Sequence, residues 1–182
     1  MDAASLKTDA GVAAQLWRSA RRVGELLRRE RLMLATAESC TAGGIAFAVT
    51  QIPGSSAWFE RGFITYSNES KLKVLGVSPV YLRDYGAVSE PVARSMALGC
   101  LNHSAAQVAV AVTGIAGPDG GSPEKPIGTV CLAWAIRRDP GVAPWVRTAT
   151  RLFDGDRALV RTQAVLEALD GLTVLLEQRL DV

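Results

Sequence analysis

The sequence is poor in cysteine and histidine, and both shortages restrict the chemistry available to it. The three cysteines, Cys40, Cys100 and Cys131, lie far apart and are odd in number, with no Cys-x-x-Cys pair. With His103 as the single histidine, we predict no obligatory metal, although carboxylates could still hold magnesium weakly. A serine–histidine triad could use only His103, which falls in a helix-to-strand connection, so a general base must come from another residue type.

Further absences bear on location and partners. The chain has no secretory signal and no long uninterrupted apolar run, so with its unpaired cysteines it is expected to be a reduced, cytoplasmic protein. A net charge of +2, from 20 basic and 18 acidic residues, gives no overall field for binding nucleic acid or a membrane. The basic run from Arg18 to Arg31 is most simply the solvated face of an amphipathic helix at about residues 11–31, and a basic docking surface is the alternative.

The chain contains alternating helix and strand patterns, which are typical of an α/β protein. Its 182 residues, 48% of them hydrophobic, predict a single domain over 1–182. We expect strands at 32–37, 62–66, 108–112, 127–136 and 145–153, the last two as an antiparallel hairpin. Helices are expected at 41–49, after Ser67-Asn68, after the turn at 76–79, after Ser89-Glu90-Pro91 and from about 154 to 180. The predicted fold is a three-layer α/β/α sandwich with a mixed, mostly parallel sheet.

One segment combines hydroxyls, a thiol and a carboxylate at a junction between a strand and a helix. It reads Thr36-Ala37-Glu38-Ser39-Cys40-Thr41-Ala42-Gly43-Gly44. Backbone N–H groups at a helix start can hold a phosphate or the oxyanion of a reacting carbonyl. Ser39 is therefore the first candidate nucleophile, and the simpler alternative is that Ser39 or Thr41 only caps the helix.

Two further loops are expected to meet this segment. Ligands of open α/β sheets bind beyond the carboxyl ends of the strands, which here include Tyr66-Ser67 and the glycine-rich loop that begins at Thr113-Gly114. A lysine in a first helical turn, such as Lys71, would have its charged form disfavoured, and a neutral lysine can activate a serine. The alternatives are that Tyr66 is an amphipathic strand end and Lys71 a solvated helix residue.

Six motifs, in order, resemble those of the CinA C-terminal domain family: AESCTAGG, PGSSAWFERGFITYSNESK, GAVSEPVA, TGIAGPDGG, KPIGTV and GDR. The resemblance covers about residues 21–175 and is far more specific than any single glycine pattern. It implies an α/β/α fold and hydrolysis of nicotinamide mononucleotide to nicotinic acid mononucleotide and ammonia, a step of pyridine nucleotide recycling. It implies no cofactor.

The resemblance also implies roles for individual residues. Ser39 would be the nucleophile, with Tyr66 and Lys71 as its activating partners. The positions implied to form the substrate pocket, including its oxyanion-binding amides and a guanidinium for the phosphate, are Glu38, Cys40, Thr41, Ala42, Gly43, Thr113, Gly114 and Arg157. His103 matches no functional motif, and we interpret it as structural.

The chain differs from members of this family in two respects. Many relatives have glycine where this chain has Ala42, which adds a methyl group but should leave the turn possible. Full-length CinA proteins carry a separate N-terminal domain, for which we expect no room in 182 residues.

The alternative function is that of a non-catalytic nucleotide- or protein-binding module of the competence and recombination machinery. Ser39, Tyr66 and Lys71 together favour the enzyme, while the near-neutral charge speaks against direct DNA binding.

Self-association is also expected, since many α/β domains of this size assemble symmetrically. The aromatic pair Trp58-Phe59, if exposed, would form part of that interface.

Overall fold

A computed structural model of the chain describes residues 9–137, 139 and 141–180. Its five strands form one sheet in the order β2-β1-β3-β4-β5. They are β1 (Leu34–Glu38), β2 (Phe59–Ile64), β3 (Val108–Gly114), β4 (Thr129–Ile136) and β5 (Trp145–Leu152). Strand β1 pairs in parallel with β2 and β3, whereas β4 pairs antiparallel with β3 and β5. Since β4 runs against the direction of the other four strands, the predicted mixed, mostly parallel sheet is confirmed.

Helices cover both faces of this sheet. They are α1 (Asp9–Glu30), α2 (Gly44–Thr50), α3 (Asn68–Leu75), α4 (Pro79–Tyr85), α5 (Glu90–Asn102) and α6 (Arg157–Leu180). Helices α1, α2 and α6 contribute to one hydrophobic cluster, and α3 and α5 to a second one across the sheet. The predicted α/β/α layering is therefore confirmed. None of the helices, as far as the chain is described, is long and apolar enough to cross a membrane.

The central strand β3 presents larger side chains to one helical layer than to the other. Val108, Val110 and Val112 face the cluster built with α1 and α6, whereas Ala109 and Ala111 face α5. All five side chains are fully buried, as expected for a strand covered on both sides. The small alanines let α5 approach closely, and the parallel pairing of β1 with β3 brings the ends of both strands to the same edge.

Serine caps set the starts of three helices. The hydroxyls of Ser67, Ser78 and Ser89 accept hydrogen bonds from the first turns of α3, α4 and α5, respectively. Ser67 forms a reciprocal capping box with Ser70, which fixes the first turn of α3. This turn carries Lys71, so the cap determines where the lysine side chain can reach.

Two sequence-based expectations need correction. Helix α2 begins at Gly44 rather than 41, because Ala42 (φ 49°) and Gly43 (φ 92°) adopt left-handed backbone conformations that end the preceding turn. Trp58 is fully buried and lies against Gly24 of α1, so its proposed place in an exposed interface is wrong. Gly24 leaves room for the indole, since a Cβ atom at this position would lie 2.7 Å from the Trp58 ring.

Gly99 in α5 provides a test of this packing. A Cβ atom at this position would lie 2.0 Å from the carbonyl oxygen of Leu75 at the end of α3. We expect Gly99→Ala to lower the free energy of unfolding by about 2–3 kcal/mol, because backbone cannot move aside as a flexible side chain would. Chemical denaturation measures this, with Arg94→Ala on the exposed face of the same helix as the control. Equal stability of both variants would contradict close α3–α5 contact.

Candidate functional site

Ser39 and Lys71 meet at the end of β1. The Lys71 Nζ atom lies 2.9 Å from Ser39 Oγ and donates a second hydrogen bond to the Thr65 carbonyl oxygen at 2.7 Å. Lys71 is only 1% exposed and Ser39 8%. Ser39 does not cap α2, whose N-cap is Gly43 without a side-chain hydrogen bond, so the simple capping interpretation is wrong. The interpretation of Lys71 as a solvated helix residue is wrong as well.

Burial lowers the pKa of Lys71. Loss of solvation lowers the pKa of its amine below the ordinary lysine value, since a charged ammonium is costly away from water. A neutral amine can donate one N–H to Thr65 and still present a lone pair to the Ser39 hydroxyl. The pair therefore has the geometry and the chemistry of a nucleophile with its general base.

The turn at residues 39–43 offers free backbone amides beside Ser39. The Ala42 amide donates to the Ser39 carbonyl at 3.0 Å, and the Gly44 amide donates to the Thr41 carbonyl at 3.1 Å. Within the described part of the chain, the amides of Cys40, Thr41 and Gly43 donate no hydrogen bond to another residue, and the Cys40 amide lies against its own thiol. Three amides around one nucleophile can bind an oxyanion. The resemblance implied the Ala42 amide as part of the same pocket, but this amide already donates to the Ser39 carbonyl.

Glu38 lies beneath the turn rather than on the surface of the site. Its fully buried carboxylate accepts hydrogen bonds from the amides of Ile45 and Ala46 and from the Thr36 hydroxyl, at 2.9–3.1 Å. These bonds satisfy the otherwise unpaired amides at the start of α2. Glu38 thus shapes the site by holding α2 against β1, and a direct contact with substrate stays a prediction.

Tyr66 and Arg157 form an exposed edge of the site. The Tyr66 hydroxyl accepts a hydrogen bond from Arg157 Nη2 at 2.9 Å, and Arg157 Nη1 donates to the Gly117 carbonyl at 2.9 Å. Tyr66 is 58% exposed and lies two residues beyond the end of β2, so the strand expected at 62–66 does not include it. Its recorded partner is Arg157 and not Ser39 or Lys71, so its part in activating Ser39 stays a prediction.

Thr113 and Gly114 bring the glycine-rich loop to the turn. The buried Thr113 hydroxyl donates to the Ala87 carbonyl at 2.9 Å, which ties the loop to the connection before α5. A Cβ at Gly114 would lie 3.1 Å from Cys40 Sγ, so only glycine allows this approach. Burial raises the pKa of the Cys40 thiol to about 12, and the neutral thiol does not compete with Ser39 as nucleophile.

Arg161 belongs to the site but was missed in the sequence. Its Nη2 atom donates to the Thr41 carbonyl at 3.1 Å, across 120 residues of chain. Arg161 lies four residues after Arg157, and residues at this spacing share a helix face. This four-residue spacing from Arg157 is the sequence feature that could have identified Arg161. The two guanidinium groups suit an anionic ligand. The described residues contain no cluster of three or more His, Cys, Asp or Glu that could hold a metal ion.

The chain matches known proteins over most of its length. The family described as "CinA C-terminal domain" matches residues 17–176. The chain is 54% identical over 156 residues to a nicotinamide-nucleotide amidohydrolase PncC of Pseudomonas putida, covering 86% of this chain and 94% of that protein. It is 49% identical over 159 residues to the PncC of Escherichia coli K12, covering 87% and 93%, respectively.

A solved structure also resembles it closely. The competence/damage inducible protein CihA of Agrobacterium tumefaciens superimposes with a TM-score of 0.82 at 45% sequence identity. The superposition covers 90% of this chain and 96% of that one.

Ala42 carries backbone strain that can be measured. Its φ of 49° costs a residue with a side chain about 1–2 kcal/mol that glycine avoids. Because glycine also loses more backbone freedom on folding, we expect Ala42→Gly to raise the free energy of unfolding by only about 0.5–1 kcal/mol. The matched control, Ala46→Gly inside α2, should lower it by about 1 kcal/mol. A loss of stability in both variants would contradict the strained turn.

The lowered pKa of Lys71 predicts a pH dependence of stability. Above the folded-state pKa the folded protein holds fewer protons than the unfolded chain, whose lysine titrates at its ordinary value. Stability contributed by wild-type Lys71, relative to Lys71→Met, should therefore rise with pH between these two values and be lost as the pH falls through the folded pKa. Denaturant unfolding from pH 7 to 11 measures the difference. Lys73→Met, at an exposed position in the same helix, is the control, and an equal pH course in both variants contradicts the prediction.

Proposed function

This chain belongs to the CinA C-terminal domain family, and we propose that it is an amidohydrolase that converts nicotinamide mononucleotide to nicotinic acid mononucleotide and ammonia. The observation that carries the proposal is the 2.9 Å contact between Ser39 Oγ and the buried Lys71 amine, next to three unengaged amides. The names of relatives at 49% and 54% identity support this substrate.

In the first half of the reaction, Ser39 attacks the carboxamide. Neutral Lys71 accepts the proton of the Ser39 hydroxyl while Oγ forms a bond to the carboxamide carbon. The carbonyl oxygen becomes an oxyanion, which the amides of Cys40, Thr41 and Gly43 stabilise. Collapse of the tetrahedral intermediate breaks the C–N bond, Lys71 returns its proton to the leaving nitrogen, and ammonia departs. An ester between Ser39 and the nicotinoyl group remains.

In the second half, water hydrolyses this ester. Lys71 accepts a proton from water as the water oxygen bonds to the acyl carbon, and the same amides hold the second oxyanion. Collapse breaks the bond to Ser39 Oγ, which regains the proton from Lys71. The carboxylic acid formed releases its remaining proton to solvent and leaves as the carboxylate, so one water is consumed for each ammonia formed.

Arg157 suits the phosphate of the nucleotide. Its guanidinium is exposed and held by the Tyr66 hydroxyl and the Gly117 carbonyl, so it is oriented before substrate arrives. A planar, permanently charged group binds a phosphate with two parallel hydrogen bonds. The ribose phosphate would then lie toward α6 and the nicotinamide ring toward Ser39.

The second candidate is a nucleotide- or protein-binding module without chemistry. The name of the Agrobacterium tumefaciens structure, a competence/damage inducible protein, favours it. The buried lysine argues for the enzyme, because removing an amine from water is costly and recognition alone does not need it.

Product release from nicotinamide mononucleotide tests the proposal. With metal-free protein, we expect Ser39→Ala and Lys71→Met to lower kcat by about 10³-fold or more, as for nucleophile and base in other hydrolases. Ammonia and nicotinic acid mononucleotide are measured together. Lys73→Met, in the same helix, and Ser19→Ala, in the remote α1, serve as controls and should retain wild-type rates.

Binding separates catalysis from recognition in the same experiment. Calorimetry should detect nicotinamide mononucleotide on Ser39→Ala at near wild-type affinity, since the hydroxyl contributes mainly to the reaction. No turnover by folded wild type across pH and with divalent metals restored would contradict the amidase and leave the binding module.

A further inference from the structure

Arg161 is the strongest feature of the site without an assigned role. Its Nη2 atom donates to the Thr41 carbonyl at 3.1 Å, and the Gly44 amide donates to the same carbonyl at 3.1 Å. One bond comes from α6 and the other from the start of α2. The carbonyl of Thr41 is thereby fixed from two separate elements.

This carbonyl belongs to the strained part of the turn. The peptide group that contains it leads into Ala42, whose φ is 49°. The unengaged amides of Thr41 and Gly43 flank this peptide group on either side. Because a turn held in a sparsely populated conformation persists only when its surroundings fix it, loss of the Arg161 contact would let the peptide rotate and move both amides.

Two buried polar atoms near this contact have no partner. They are Thr41 Oγ1 and Arg161 Nε. Thr41 is only 1% exposed, so an unpartnered hydroxyl there is costly. A guanidinium used solely for stability would be expected to satisfy its Nε atom as well. The positive charge of Arg161 also reaches the turn, since it opposes the effect of burial on the pKa of the Cys40 thiol.

From this geometry we propose that Arg161 is a positioning residue for amide hydrolysis, which holds the turn at 39–43 with its free amides directed at the developing oxyanion. This inference rests on the proposed amidase function. Arg161 acts through the Thr41 carbonyl and through the charge of its guanidinium. This role requires no contact between Arg161 and the nucleotide.

Arg157 provides the contrast within the same helix. Its guanidinium holds Tyr66 and Gly117, on the exposed edge of the site, whereas that of Arg161 holds the turn beside the nucleophile. Loss of a group that binds substrate and transition state equally raises KM, whereas loss of a group that favours only the transition state lowers kcat. The two arginines should therefore differ in which kinetic constant they change.

The test compares Arg161→Gln, Arg161→Lys and Arg157→Gln in hydrolysis of nicotinamide mononucleotide. We expect Arg161→Gln to lower kcat by about 30–100-fold, somewhat less than loss of a direct oxyanion donor, with KM within about 3-fold of wild type. Arg161→Lys keeps the charge and one donor, so its kcat should lie between that of wild type and that of Arg161→Gln. Arg157→Gln should raise KM by about 10-fold with little change in kcat.

A second measurement needs no nucleotide. A small alkyl fluorophosphonate reacts with an activated serine: a bond forms between Ser39 Oγ and phosphorus, the P–F bond breaks, fluoride leaves, and Lys71 takes the hydroxyl proton. The phosphoryl oxygen of the adduct occupies the oxyanion position. The rate of this labelling, followed by intact mass, should fall in Arg161→Gln by about the same factor as kcat and stay unchanged in Lys73→Met, at an exposed position of α3.

The outcomes are distinguishable. Wild-type kcat and labelling in a folded Arg161→Gln, or an effect confined to KM, would overturn the inference. If Arg161→Gln does not fold, as judged by its thermal midpoint, Arg161→Lys decides, and wild-type kcat and labelling in that variant would overturn it. If wild type labels rapidly and Arg161→Gln slowly while neither hydrolyses nicotinamide mononucleotide, the positioning role stands and the proposed substrate fails.

Discussion

The site depends on keeping one amine out of water. Lys71 is almost fully enclosed, and its amine would be strongly disfavoured there as an isolated charge. Two things make the position tolerable: the hydrogen bonds to Thr65 and Ser39 and the lowered pKa. The same conditions that make burial possible also favour the neutral amine, which the proposed reaction uses as a base. Stability and the proposed chemistry are therefore set by the same contact.

The elements around the pair hold it in place through backbone groups. Glu38 binds the start of α2, and a serine cap fixes the start of α3. The turn that carries Ser39 and the helix that carries Lys71 are therefore anchored independently. In the turn between β1 and α2, Ala42 adopts a strained, left-handed backbone conformation. The amides of Cys40, Thr41 and Gly43 in this turn donate no hydrogen bond to another residue. A turn in a sparsely populated conformation persists because the structure around it fixes it.

Helix α6 contributes to the site from the other end of the chain. Arg157 meets the exposed loop edge and Arg161 the turn, so one helix face contacts both the region suited to the phosphate and the region suited to the oxyanion. Since α6 also packs against α1 and the sheet, its guanidinium groups are carried on a rigid support. Rigid support matters here because hydrogen bonds to a developing charge are most effective when they need no rearrangement.

The sequence by itself determined the order of helices and strands, the α/β/α layers and the start of helices after Ser67-Asn68 and after Ser89-Glu90-Pro91. These follow from local periodicity and from residues that act within a few positions of themselves. It did not determine that α2 begins only at Gly44, because no helical pattern reveals a left-handed alanine, nor that Trp58 is buried beneath α1.

Only the tertiary structure decided which chemical groups meet. Ser39 and Lys71 are 32 residues apart in the chain, and Thr41 and Arg161 are 120 apart. The motifs indicated that Ser39 and Lys71 belong together, but the engaged amide of Ala42, the partner of Tyr66 and the role of Glu38 beneath α2 depend on distances across the fold. A hydrogen bond forms or fails within a few tenths of an ångström, and such distances are fixed by packing between elements rather than by sequence within them.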